Sequence, residues 1–209
     1  MFINTLEFDI SSMNYWLKQG ICQLPNTGLI RSYTFSMING DTLLAGTSGG
    51  EICVFSVYSK IFKATMPISS NGLMSIALIE DYIYVGGGDG KVKKMSIGGG
   101  KWSLTHEAQL DSKVMSLSVS VDKKELIAGT SGGKLYRMLT NDLSFMLHTD
   151  AHTGSINDLQ FSTLRSDQFV SIDDNGTVKM WDLSEYKSVF TAYPGKTSRG
   201  SSCFIAADD

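Results

Sequence analysis

Four stretches of the chain share one alternation of apolar and polar positions. LLAGTSGGEICVF (43–55), IYVGGGDGKVKKM (83–95), LIAGTSGGKLYRM (126–138) and FVSIDDNGTVKMW (169–181) align without gaps. Each is a short apolar run, a cluster of Gly, Ser, Asp or Asn, and a second apolar run. That is the pattern of a β-hairpin whose turn needs residues tolerant of positive φ. Gly132-Gly133 and Asn175-Gly176 are turn dipeptides of the strong type. The glycines Gly50, Gly90, Gly133 and Gly176 recur at intervals of 40, 43 and 43 residues, so one unit is written four times.

Upstream of each hairpin lies a further alternating segment, Ile30 to Phe35, Leu73 to Leu78, Val114 to Val119 and Ile156 to Phe161. Downstream, Ile61 to Met66, Trp102 to Ala108, Phe145 to His148 and Ser188 to Ala192 supply a fourth strand. Each unit therefore has strands a, b, c and d in order, and no segment shows a helical period of 3.6. A period of about 40–45 residues with four strands per repeat predicts an all-β propeller, whereas ankyrin or tetratricopeptide arrays repeat faster and read as helices. The units run over 27–67, 70–108, 111–148 and 151–192. Residues 1–24 read as the c and d strands of a preceding blade, and 199–209, with Cys203-Phe204-Ile205, as the start of a following strand a. The expected architecture is about four and a half four-stranded blades.

Composition narrows the class. Of 209 residues, 42% are apolar and 19% charged, enough for a sizeable core and too apolar for disorder. Eighteen basic against 21 acidic residues leave a formal charge of −3, which argues against nucleic acid or a polybasic membrane contact. Glycine is abundant at 21 and proline scarce at 3, favouring tight turns over stiff linkers. The three cysteines, Cys22, Cys53 and Cys203, lie far apart without CxxC spacing, so neither a disulfide framework nor a zinc site is encoded. No signal-peptide pattern or apolar run long enough to span a membrane occurs, and a soluble intracellular protein is expected.

The last complete unit, from Ala151-His152 through Ser171 and Asn175-Gly176 to Trp181-Asp182, resembles a WD40 repeat, with Ala151-His152 standing where that family has Gly-His. The resemblance implies a hydrogen-bonded tetrad that ties the blade together. By position it consists of His152, Ser171, Asn175 and Trp181, with asparagine in place of the family's turn aspartate. The other units have Phe55, Met95 and Met138 where Trp would stand and Gly49, Asp89 and Gly132 in the turn, so they keep the shape without the tetrad. The order GTSGGEI, VGGGDGKVKKM, GTSGGKLYRM, AHTGSIND and VKMWDL, over about Thr27 to Phe204, is similar to that of ciliary and flagellar WD-repeat proteins. Those carry two seven-bladed propellers in a longer chain, which implies that these residues are a piece of the second.

Candidate chemistry is sparse. Gly86 to Lys91 and Gly129 to Lys134 are glycine-rich, but Val92 and Leu135 follow the lysines where a phosphate loop needs Ser or Thr and a helix. His148 and His152 lack a third ligand, and no GxSxG nucleophile elbow occurs. No catalytic residue, cofactor, metal or small-molecule substrate is expected. Lys91 and Lys93 fall on one strand face and are the candidate contacts to an acidic protein partner. The leading reading is a non-enzymatic scaffold. The ciliary resemblance implies α/β-tubulin and other axonemal structural proteins as partners, inside the doublet microtubule of a cilium or flagellum. The alternative is a cytosolic WD40 adaptor in a ubiquitin-ligase or signalling complex.

Overall fold

In the computed structural model, which describes residues 32–193 except 39, 60, 98–101 and 186, every regular element is a strand. Blade one comprises β1 (Ser32–Ile38), β2 (Thr42–Gly46), β3 (Glu51–Ser56) and β4 (Ile61–Pro67). Blade two comprises β5 (Leu73–Ile79), β6 (Tyr82–Gly87), β7 (Lys91–Ser96) and β8 (Ser103–Gln109). Blade three comprises β9 (Val114–Val119), β10 (Glu125–Thr130), β11 (Lys134–Leu139) and β12 (Phe145–Asp150). Blade four comprises β13 (Ile156–Phe161), β14 (Gln168–Asp173), β15 (Val178–Asp182) and β16 (Lys187–Ala192). Each blade is a separate antiparallel sheet with its strands in chain order. The half-blades expected over 1–24 and 199–209 lie outside the described residues.

The expected strands fall within a residue or two of those observed, except the first. Pairing of Ile38 with Thr42 closes the β1–β2 hairpin at Gly40, whose φ is +69°, so β1 runs to Ile38 rather than ending at Phe35. The β2–β3 connection and its three counterparts are wider than a two-residue turn. In each, the glycine N–H donates to the carbonyl three residues back: Gly50 to Thr47, Gly90 to Gly87, Gly133 to Thr130 and Gly176 to Asp173, all at 3.1 Å. Each of these glycines has positive φ, from +77° to +91°. This is a three-residue loop with its last residue in the left-handed region.

Glycine is needed at these turns for a second reason. The Gly133 carbonyl accepts from the N–H groups of Ala151 and His152, at 3.0 and 2.9 Å, and so anchors the chain as it enters the next blade. A Cβ on Gly133 would sit 2.2 Å from the His152 carbonyl oxygen. The Gly50 carbonyl holds Ile68 and Ser69 in the same way, both at 2.9 Å. Every junction is thus built from the turn of one blade and the entry of its successor.

The core lies between the sheets. Leu44 and Ile52 of blade one pack with Leu73, Ile76 and Ile83 of blade two. Tyr84 and Val92 pack with Val114, Leu117 and Met138, and Ile127 and Leu135 with Ile156, Leu159 and Trp181. Burying these side chains stabilises the stack by about 25 cal/mol per Å² of apolar surface. The innermost strands are also joined by serine hydroxyls. Ser75 Oγ accepts from the Leu117 N–H at 3.0 Å, Ser116 Oγ from Leu159 at 3.2 Å, and Ser118 Oγ from Phe161 at 3.0 Å. Tyr84 Oη donates to the Thr140 carbonyl at 2.7 Å, and burial pushes this phenol up to about 12.

Candidate functional site

On the rim that carries the b–c turns, blade four gathers its polar residues under Trp181. Ser171 and Asp173 are two apart on β14 and therefore share a face. Trp181 Nε1 donates to Ser171 Oγ at 2.8 Å, and Ser171 Oγ lies 2.7 Å from His152 Nε2. The hydroxyl accepts from the indole and, because the nitrogen facing the Asp173 carboxylate keeps the ring proton, gives its own proton to Nε2. The ring proton of a neutral His152 is then on Nδ1, which sits 3.2 Å from Asp173 Oδ2 but off the line of a good hydrogen bond.

Burial pushes the His152 imidazole below its ordinary 6.5 against the opposing pull of Asp173, keeping it neutral at pH 7. For Asp173, burial acts upward, yet the Thr177 N–H, His152 and the Asn175 N–H outweigh it and hold the carboxyl below its ordinary 3.8. Its Oδ1 accepts from Thr177 N at 2.8 Å and Asn175 N at 3.0 Å.

The acidic member of the cluster is therefore Asp173, and Asn175 is outside it. Asn175 follows the end of β14, is exposed, and directs its amide to Thr153 Oγ1 at 3.4 Å. Asp173 is the last residue of β14 and points inward with Ser171, which brings it to the imidazole instead. Positional matching to the repeat missed this, although the two-residue alternation along the strand contained the signal.

Ser171, His152 and Asp173 have the order of a nucleophilic Ser-His-Asp array. Ser171, however, is 0% exposed, and its oxygen lies between the indole N–H and the imidazole. No carbonyl can reach it, so the array works as a strut. The Trp181 ring stacks on Phe169, with centroids 5.8 Å apart and planes within 7°, which couples the strut to the core between blades three and four.

Blade two solves the same junction with different side chains. Ser69 occupies the entry position that His152 holds in blade four, and its Oγ donates to Asp89 Oδ2 at 3.0 Å. Lys93 Nζ lies 3.7 Å from Asp89 and 3.9 Å from Glu107, while Lys91 Nζ donates to Glu107 Oε1 at 2.6 Å. Hydrogen bonding to Glu107 raises the Lys91 ammonium above its ordinary value. The two candidate partner-binding lysines do share a strand face, but their charges are spent inside the blade, and the side chain of Lys93 is only 15% exposed. Sequence alone did not reveal that Glu107 stands across from Lys93 on β8.

A residue that sequence reasoning passed over is Lys179. It occupies in blade four the position of Lys93 in blade two and, like it, reaches back to an entry carbonyl, that of Ala151 where Lys93 takes Ile68. Beside it a recess of about 280 Å³ opens on the rim, bordered by Asp150, His152, Thr153, Asp173, Thr177 and Tyr193.

No family model matches the chain, and no curated protein matches it in sequence. Solved structures do match. A chain in the crystal structure of the mitotic checkpoint complex superposes on 87% of this chain and 56% of its own length, with a TM-score of 0.76 and 14% identity. The computationally designed Ika8 protein matches 81% of this chain and 52% of its own length, with a TM-score of 0.68 and 16% identity. The fold is that of a WD40-type β-propeller, and the chain spans about half the length of the solved structures it matches.

Proposed function

We propose that the chain is a non-enzymatic protein-interaction scaffold and part of a larger, seven-bladed propeller. One observation carries the reading: the backbone of the turn junction is constant from blade to blade while the side chains displayed around it change. A fixed frame with a variable rim holds several binding surfaces in register, which is what a scaffold requires. Fold by itself does not assign function, and the burial of Ser171 rules out nucleophilic use of the Ser171, His152 and Asp173 array.

The order of the repeat motifs supports a finer assignment, to the ciliary and flagellar WD-repeat proteins. In it the chain binds α/β-tubulin and neighbouring axonemal proteins and stabilises the doublet microtubule. The test is to express a tagged full-length protein in a ciliated cell and extract the axonemes with detergent. Retention on axonemes through moderate salt is expected. A diffuse cytosolic signal absent from axonemes would overturn the assignment in favour of the cytosolic adaptor.

A further inference from the structure

We infer that the recess beside Lys179 is a receptor for a carboxylate, the side chain of an acidic residue on a protein partner. Equivalent places in blades two and four differ in the charges around one lysine. Lys93 on β7 faces Glu107 across the c–d pair, and Asp89 precedes the turn glycine, so two carboxylates lie within 4 Å of its ammonium. Lys179 on β15 faces Thr191 instead, and Asn175 precedes the turn glycine. Both carboxylates that neutralise the blade-two lysine are missing in blade four.

Asp173, a buried acid on the recess border, accepts from Thr177 and Asn175 through Oδ1, and its Oδ2 faces His152 Nδ1 at 3.2 Å. Among the described residues Lys179 makes no ion pair. Its ammonium donates to the Ala151 carbonyl, lies 5.7 Å from the Trp181 ring centroid, and keeps donors for a ligand. In blade three the equivalent place is closed by Tyr136, which interacts with Asp111, and by Lys134, 3.5 Å from Asp111. At the blade-four position a partly buried lysine borders open volume.

An incoming carboxylate would take the place of Glu107, accepting from Lys179 in a recess that Thr177 and Tyr193 also line. Two charges oppose it: Asp173, whose Oδ2 is turned to the His152 ring, and Asp150, whose side chain is 88% exposed and which lies 4.0 Å from Lys134.

This inference deepens the scaffold reading and rests on it, but not on the ciliary assignment. The test uses the full chain and a labelled oligoglutamate peptide, with oligoglutamine as control. Oligoglutamate should bind saturably and salt-dependently, and oligoglutamine should not. Thr191→Glu, which restores the carboxylate that blade two has, and Lys179→Met should each weaken binding by roughly tenfold. Thr191→Glu should melt no lower than the unmodified chain, which separates a filled receptor from a damaged fold. Asp150→Asn, on an exposed side chain, should tighten binding. Unsaturable oligoglutamate binding, or equal affinity in the unmodified, Thr191→Glu and Lys179→Met chains, would overturn the site. Loss of axonemal retention with peptide binding intact would sink the ciliary assignment alone.

Discussion

Blades two and four share a backbone and differ in what secures it. Blade four ties its entry to strands b and c with a buried chain of neutral donors and acceptors, Trp181 to Ser171 to His152, ending at Asp173. Blade two uses a hydroxyl, two carboxylates and two lysines at a partly exposed edge. The turn glycine and the carbonyl it offers to the following blade are the same in both neighbourhoods. The junction is therefore set by backbone conformation, and side chains are free to diverge above it provided that the entry residue finds a partner near the turn. A buried neutral chain is sensitive to truncation and protons, whereas a half-exposed ionic one is sensitive to salt.

The sharpest break should come from Trp181→Ala, which removes the indole donor and its stacking on Phe169 together. A loss of about 3–5 kcal/mol is expected, read as a fall in the urea midpoint. Met95, the blade-two residue at the same position, has no polar end to lose, so Met95→Leu should cost less than about 1.5 kcal/mol. Next comes Gly133→Ala, where a left-handed φ of +81° and the His152 carbonyl both oppose a methyl group. A cost of about 2 kcal/mol or more is expected, and thermal melts at matched concentration would measure it.

The identity of the acid in blade four is open to a paired substitution. Asp173→Ala strips partners from Thr177, Asn175 and His152 and should cost about 1–3 kcal/mol. Asn175→Ala at the exposed turn should stay within about 0.5 kcal/mol. Equal effects from the two would return Asn175 to the cluster.

A smaller effect separates the blades by pH. The folded His152 has its pKa depressed, so below about pH 6.5 the unfolded chain takes up a proton that the buried imidazole refuses. Stability is fully present above that value and falls as the pH drops, by at most about 1.4 kcal/mol per pH unit for one group. Asp173, also depressed, adds a loss only as the pH falls below its ordinary 3.8. Urea midpoints at about pH 7.5 and 5.5 should differ less in His152→Gln than in the unmodified chain. The smallest effect is that of Glu107→Gln in blade two. It should lower the melting temperature slightly in dilute buffer and leave it unchanged in high salt, where half-exposed pairs are screened.

Much of this contrast was legible in the residues. Four gapless hairpins, positive-φ glycines at a fixed period and alternation in Val114 to Val119 led directly to the strands and their order, because those signals are local. What escaped depends on neighbours remote in sequence. Lys91 and Lys93 show themselves as a basic pair, yet their neutralisation comes from Glu107 through the register of β7 on β8. Lys179 looks like one more lysine of a c strand, and only the absence of an acid at Thr191 makes it distinctive. Asp173 was recoverable from strand periodicity but was overshadowed by the turn position that the family pattern favours.

The serine links between inner strands carry a consequence for how such a molecule changes in length. Ser75 meets Leu117, Ser116 meets Leu159 and Ser118 meets Phe161, at separations of 42, 43 and 43 residues, within a residue of the 43 that separates the turn glycines of those blades. Donor and acceptor thus occupy fixed addresses one unit apart. Duplication or deletion of a whole unit delivers each hydroxyl to an equivalent amide and leaves the join intact. An insertion of a few residues within an inner strand puts every later address in that strand out of phase. Growth by whole blades is the change this architecture accepts without redesign, so descendants of one ancestral repeat can multiply first and acquire their separate rim chemistries afterwards.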